Sequence, residues 1–251
     1  MASAKDITVK VIQSKIAGAF VKAHHYSGKV VNNSVLHFGC FLDGKLHGVM
    51  QFGSPLDKRK VIGLVADKDG KPALWNEMLE LNRMAFDEVL PPNSESRCIA
   101  VAIRLIRKNA PHIRWIISFA DGMQCGDGTI YRASGFKLTG FSSGSMWLLP
   151  EELREMNGGP VAHRMKIQDK SSAISRWIMA RTNGKNLTME QCAAKFGGSI
   201  CEGYMLRYIK ILDPAYHLTV PEIPFSKIDE LGAGMYKGER ITQAERHGHG
   251  E

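Results

Sequence analysis

The sequence predicts an α/β (α+β) chain built on a central mixed sheet with helices on its faces. Three observations carry that expectation. Residues 34–53 alternate apolar and polar on either side of Asp43-Gly44, the signature of a two-residue hairpin. Residues 14–28 and 99–108 place apolar side chains at helical spacing. Residues 113–121, IRWIISFAD, form an unbroken apolar run, which suits a strand covered on both faces.

The elements follow in order. ITVKVI (7–12) is β-branched and reads as a first strand. In SKIAGAFVKAHHYSG (14–28), Ser14 can cap a helix, Ala17, Phe20, Val21 and His24 share one face, and Gly28 ends it. His25 and Tyr26 then sit where side chains emerge into a loop. In the hairpin, Leu36, Phe38, Cys40 and Leu42 alternate, and Leu46, Gly48, Met50 and Phe52 resume the period after the turn. Residues 54–73 read as polar loop with short pieces.

ALWNEMLELNRMAFD (73–87) fits a helix or a strand, since its acidic and apolar residues satisfy both periods. As a strand it would turn Glu80 and Asn82 toward a cleft as candidate bases; on a surface helix they and Arg83 need no special role. After Pro91-Pro92, Asn93 or Ser94 can cap a helix whose stripe is Ile99, Ala102, Ile103 and Ile106. The central strand ends at Asp121. A short helix (127–135), strands at 137–149 and 161–167, an inserted region at 169–203 and a last strand at 204–212 complete the reading. The insert is expected to form two helices around TNGKN, and the tail after 215 reads as a loosely docked extension. The expected organisation is one catalytic domain over 1–215 with the basic helical insert, then a C-terminal extension over 216–251.

At 251 residues and 44 % hydrophobic, the chain can bury a full core. It has no apolar run near the roughly 20 residues that span a bilayer, and no signal-like start, so a soluble protein that stays where it is made is expected. Five cysteines without a CxxC pair suit a reducing compartment and argue against structural zinc. The formal charge is +8, and residues 161–210 hold nine Lys/Arg against three Asp/Glu. Such a local surplus favours a polyanion, because each neutralised phosphate releases a counterion. Within it, Arg176, Trp177, Arg181, Lys185 and Lys195 are the candidate nucleic-acid contacts, although core packing explains Trp177 equally well.

The element order resembles the GNAT acyltransferase fold, in which two central strands splay apart and donor and acceptor meet in the gap. IYRASGFKLTG (130–140) is similar to that family's short helix with a tyrosine followed by Gly-Phe. One departure is LPPNSESR (90–97), which has no glycine where those enzymes carry the glycine-bearing loop that cradles coenzyme A. A helix N-terminus can still hold an anion. Ser94, Ser96 and Arg97 are the donor-site candidates there.

HHYSG (24–28), HFGCFLDGKLHGVMQFG (37–53), NSESRCIA (93–100), SFADGMQCGDGTIYRASGF (118–136) and LRYIKILDP (206–214) together resemble a narrower group, the Mom proteins of bacteriophages. The likeness runs from about residue 14 to residue 215. It implies conversion of adenine in phage DNA to N6-carbamoylmethyl (glycinamide) adenine, which protects the DNA from host restriction in the host cytoplasm. It also implies an active site containing Asp121, Tyr131, His25, Tyr26 and Ser96, with His25 as the residue for a proposed iron ion. Tyr131 would act on the leaving group, Asp121 would bind or orient the amine, His25 would carry protons, and Tyr26 could stack on an extruded base. Purely structural roles stay open beside these: Asp121 as a turn cap, Tyr131 as a packed ring, His25 as a half-buried helix-end residue.

Activated glycine is the donor such a product requires; glycyl-tRNA is the favoured source and acetyl-coenzyme A the alternative. Expected partners are double-stranded DNA, tRNA as a second polyanion, and a second copy as a homodimer, with no membrane. Two other functions remain open on sequence: an ordinary GNAT N-acyltransferase acting on a protein or small amine, and a non-catalytic phage DNA-binding protein.

Overall fold

The computed structural model describes residues 2–123, 126–236 and 239–240; Gln124 and Cys125 of the glycine-laced turn, and the end of the polar tail, lie outside the described residues. The chain divides into two compact units, the first holding 1–119, 129–139 and 207–223, the second 120–128, 140–206 and 224–251.

Twelve strands and eight α-helices alternate along the described chain. The first unit carries β1 (Thr8–Val11), α1 (Ser14–His24), β2 (Ser34–Leu42), β3 (Lys45–Gly53), β4 (Val65–Asp67), β5 (Met78–Phe86) and α2 (Ser94–Asn109). It continues with the start of β6 (Trp115–Asp121), α3 (Thr129–Ala133), the start of β7 (Lys137–Leu148), the end of β9 (Ser199–Ile211) and β10 (Tyr216–Leu218). The second unit holds the remainder of those shared strands, α4 (Glu151–Asn157), β8 (Val161–His163), α5 (Arg164–Gln168), α6 (Ala173–Arg181), α7 (Met189–Phe196), α8 (Ser226–Glu230), β11 (Met235–Tyr236) and β12 (Glu239–Arg240).

The fold is the predicted α+β class: eight strands form one mixed sheet in the order β1-β2-β3-β5-β6-β9-β7-β8. From β1 to β5 the neighbours run antiparallel, while β5 and β6 run parallel. The hairpin turns at Asp43 (φ 50°) and Gly44 (φ 76°), both left-handed as a twist-matched two-residue turn requires. Ala17 and Val21 of α1 pack on Val49 and Ala85, and the predicted stripe of α2 is buried through Cys98, Ile99, Ala102, Ile103 and Ile106. The neighbouring Cys98 thiol and burial both push the Cys40 thiol up, so these two cysteines behave as small apolar side chains. A further cluster joins Met78, Trp115, Ile117 and Ile209 to Val61, Leu64 and Val65.

Within the segment 73–87, Trp75–Glu77 forms a 3-10 turn and Met78–Phe86 is a strand, β5. Another expectation needs correction: VAHRMKI does not remain extended to residue 167. The His163 ring accepts the Met165 N–H at 3.2 Å and caps a helical turn, so the strand stops at His163 and α5 begins. The insert forms its two predicted helices, α6 and α7, whose apolar faces join Trp147, Leu149 and Leu153 in the second unit's core.

Candidate active site

The first unit's candidate site begins where two neighbouring strands stop pairing. The β5–β6 ladder joins Met78–Leu81 to Trp115–Ser118, and β5 then runs on to Phe86 along β3. At the last rung the Ser118 hydroxyl donates to the Leu81 carbonyl at 2.9 Å. A side chain thus takes a main-chain acceptor at the point where the strands part. On the other edge of β5 the register skips a residue: Gln51 faces Arg83, Phe52 faces Leu81 and Asn82 is left over as a bulge. Bulges re-aim side chains beside functional sites. Asn82 is fixed by the Ser34 hydroxyl, which donates to its Oδ1 at 3.0 Å.

Glu80 lies opposite Gly53 on this stretch of β5. Burial pushes its carboxyl up to about 7, and the nearby Arg83 guanidinium offsets only part of that rise. A carboxyl poised there is matched to proton transfer at neutral pH. Arg83 is held by its own main-chain partners, donating from Nε to the Lys29 carbonyl at 3.1 Å and from Nη1 to the Asn82 carbonyl at 2.7 Å.

Lys29 belongs to the turn after α1, and His25 is the residue that ends that helix. The Ser27 N–H donates to His25 Nδ1 at 3.1 Å, and the Ser27 hydroxyl lies 2.8 Å from the same nitrogen. A backbone N–H can only donate, so Nδ1 is an acceptor and the neutral ring carries its proton on Nε2. Burial and Arg83 lower the His25 pKa to about 4, which keeps the ring neutral across the physiological range. His25 therefore offers Nε2–H as a fixed donor. The Tyr26 ring lies tilted against it, with centroids 4.3 Å apart and planes inclined by 30°, and is half exposed.

The same bond bears on iron. Ligation through Nε2 needs the other tautomer, whose Nδ1–H would oppose the Ser27 N–H. Among the described residues no three His, Cys, Asp or Glu side chains gather as a metal site. The arrangement around His25 does not fit the ion.

At the start of α2, Asn93 adopts a left-handed conformation (φ 67°) and makes no side-chain cap. The Ser94 hydroxyl turns back to the Pro91 carbonyl, and the Ser96 hydroxyl donates to the Asn93 carbonyl at 3.2 Å. Both hydroxyl protons are thus spent on the loop, leaving main-chain N–H groups and the half-buried Arg97 as what this end offers an anion. Tyr131, on α3, is buried, with its ring 5.3 Å from Tyr208 and 5.6 Å from Phe136.

Asp121 falls in the second unit. It is buried at the end of β6 and accepts the Met123 N–H at 3.1 Å, the turn-capping bond expected of an aspartate there. Since Tyr131 belongs to the first unit, each residue is placed within its own unit. In the insert, Trp177 packs edge-on against Phe196 at 4.9 Å, and the Arg181 guanidinium lies 4.2 Å above the Trp177 ring. Lys195 sits 5.7 Å from the Phe196 ring. Trp177 is therefore a partly buried member of the core cluster, whereas Arg176, Arg181, Lys185 and Lys195 remain exposed. Sequence reading singled out most of these residues, but it missed Ser27 as the group that sets the His25 tautomer and Ser118 as the group that ends the ladder.

The chain is 36 % identical over 149 residues to the Methylcarbamoylase mom of Escherichia phage Mu. That match spans 59 % of this chain and 59 % of the phage Mu protein, less than two thirds of its length. Among solved structures, the chain is similar to a Bacillus subtilis acetyltransferase in complex with CoA at 10 % identity and a TM-score of 0.41, covering 82 % of this chain and 98 % of that one. It is also similar to an N-acetyltransferase from Staphylococcus aureus Mu50 at 10 % identity and a TM-score of 0.44, covering 82 % and 99 %. The family model described as the Mom protein family matches residues 6–227, and the chain belongs to that family.

Proposed function

We propose that this protein is a transferase that modifies adenine in phage DNA to its N6-carbamoylmethyl form and thereby protects the DNA from host restriction. Membership of the Mom family supports the reaction class, and the phage Mu relative's name supports the group transferred. The single structural observation that carries the reading is the half-buried Glu80 carboxyl, raised to about 7, on the strand that leaves its neighbour at Leu81.

The exocyclic amine of adenine is poorly nucleophilic and lies inside the stack, so the base must first be extruded. In the proposed route the adenine N6 attacks the carbonyl carbon of an activated glycyl ester, the ester C–O bond breaks, the alcohol leaves and an amide forms. The freed glycyl amine then attacks ring carbon six. Cleavage of the original carbon–nitrogen bond leaves that nitrogen as the terminal amide, and no oxidant or reductant is consumed. Glu80 takes the proton from the attacking amine as it forms a bond. The Nε2–H of neutral His25 donates to a carbonyl or oxyanion near the turn, and Tyr26 offers a face for the base. Tyr131 donates its phenolic proton to the departing alkoxide oxygen, which leaves as the alcohol. The exposed cations of the insert are proposed to hold DNA, which the paired substitution of Arg176 and Lys185 tests.

Glycyl-tRNA is the proposed donor. The loop before α2 lacks the glycines of a coenzyme A cradle, and its two serine hydroxyls are turned onto carbonyls, which favours a donor other than acetyl-coenzyme A. Purified protein incubated with duplex DNA and isotopically labelled glycyl-tRNA is expected to place label in adenine nucleosides. Label that stays in tRNA, with incorporation from acetyl-coenzyme A instead, contradicts the donor assignment.

A further inference from the structure

The loop that leaves β3 has a feature the proposed chemistry does not use. β3 ends at Gly53, which faces Ser34 of β2 on one side and Glu80 of β5 on the other. The chain departs the sheet there, level with the candidate base. Its first step is fixed, because the Asn33 side chain donates to the Ser54 carbonyl and Pro55 is buried. Val61, buried against Leu64 and Val65, fixes the far end. Between these anchors Leu56 is 80 % exposed, the largest exposure of any large apolar side chain among the described residues.

A lone exposed leucine means little. This one is followed by Lys58, Arg59 and Lys60 in a short 3-10 turn capped by Asp57, whose Oδ1 accepts the Arg59 N–H at 3.1 Å. The Arg59 side chain also reaches Asp57 at 3.2 Å while remaining 90 % exposed, and Lys58 leans toward the Trp75 ring at 5.8 Å. Three cations against one carboxylate thus follow an apolar tip. Two other exposed apolar side chains belong to the first unit, Val35 at 71 % next to Ser34 in β2, and Tyr26 at 50 % in the turn whose Lys29 carbonyl accepts from Arg83.

We infer that Leu56 is a wedge that enters duplex DNA and fills the space vacated by the extruded adenine, while Lys58, Arg59 and Lys60 hold the phosphates beside it. The inference rests on the proposed reading of the chain as a DNA-modifying enzyme, and it assigns duplex recognition to a loop of the first unit. Apolar side chains inserted at base steps are a general means of unstacking DNA, and adjoining cations supply salt-dependent affinity. Extrusion leaves an apolar gap in the stack; a rigidly anchored leucine fills it without needing a hydrogen-bond partner. The buried proline before it and the capped turn after it limit the ordering cost of insertion.

The test needs neither donor nor target sequence. Purified full-length protein is titrated by fluorescence anisotropy against an end-labelled duplex of mixed sequence, and against the same duplex carrying one tetrahydrofuran abasic nucleotide. The wild-type protein is expected to prefer the abasic duplex by about tenfold, since the gap is already open. Leu56→Ala should bring that preference below about twofold, and Leu56→Met should retain it. The double substitution Lys58→Ala with Lys60→Ala should weaken binding to both duplexes alike and reduce the salt slope by about 2. A preference for the abasic duplex that persists in Leu56→Ala, or is missing from the wild type, overturns the inference. So does Leu56-dependent binding to anionic vesicles with DNA binding unchanged. In expressing cells, wild-type levels of modified adenine from Leu56→Ala would overturn the wedge and leave the reaction standing. Wedge-dependent binding without any modified adenine would do the reverse.

Discussion

The Ser118 hydroxyl donates to the main-chain carbonyl of Leu81 at 2.9 Å, on the last rung of the parallel ladder between β5 and β6. The bond closes the ladder with a side chain and leaves Asn82 and Arg83 to be placed by the bulge and by their own partners. Ser118→Ala removes the donor from a fully buried carbonyl, and the expected loss is about 1–3 kcal/mol of stability. Denaturant unfolding measures it; an unchanged midpoint would mean that the bond is not formed in solution.

Glu80 carries the sharpest pH prediction. Its folded value of about 7 lies above the ordinary 4.5, so folding favours the protonated form. Stability is therefore expected to fall as pH rises from about 4.5 to about 7, by on the order of 2–3 kcal/mol, and Glu80→Gln should remove that fall. Modification activity should rise through the same upper value as the carboxylate forms. Glu80→Gln should lower activity by about 100-fold or more and abolish the rising limb. A variant that keeps both the rate and the limb would exclude Glu80 as the base.

Arg83 holds down the pKa of both Glu80 and His25. Arg83→Met should move the activity limb to higher pH and let His25 titrate nearer its ordinary value. For His25 the sign is opposite to that of Glu80. Its folded pKa near 4 sits below the ordinary 6.5, so stability present above 6.5 is lost as pH falls toward 4. His25→Asn is expected to unfold less readily than wild type at pH 5 relative to pH 7, and NMR titration of the ring reports the shift directly.

The insert separates packing from charge. Trp177→Ala removes a ring packed on Phe196 and capped by Arg181, and should cost about 3–5 kcal/mol. Arg176→Ala with Lys185→Ala removes exposed cations and should leave stability within about 0.5 kcal/mol while weakening DNA binding. Affinity unchanged at low salt in the second variant would remove the insert from the DNA interface.

Much of this arrangement was legible in the sequence, for identifiable reasons. The hairpin at Asp43-Gly44 and the stripe of α2 follow from local periodicity, and both form where the pattern places them. β5 stayed ambiguous because Glu80, Asn82 and Arg83 interrupt its apolar residues at spacings that suit either period. The strand at 161–163 was read too long because His163 caps a helical turn, a local bond that outweighs apolar alternation. HHYSG is visible in the sequence as a helix-ending turn, but the tautomer of His25 depends on the position of the Ser27 N–H. Arg83 finds the Lys29 carbonyl across 54 residues of chain, and the bulge at Asn82 depends on pairing with β3. No periodicity within β5 encodes either contact.

The central claim is that this chain rewrites adenine in DNA through chemistry on β5. The most direct measurement is the mass of nucleosides digested from the DNA of cells expressing the wild-type protein and, separately, Glu80→Gln. The account predicts an adenine nucleoside heavier by one carbamoylmethyl group with the wild type, and its near disappearance with Glu80→Gln at equal protein level. Unmodified adenine in both samples would contradict it, as would equal modification in the two.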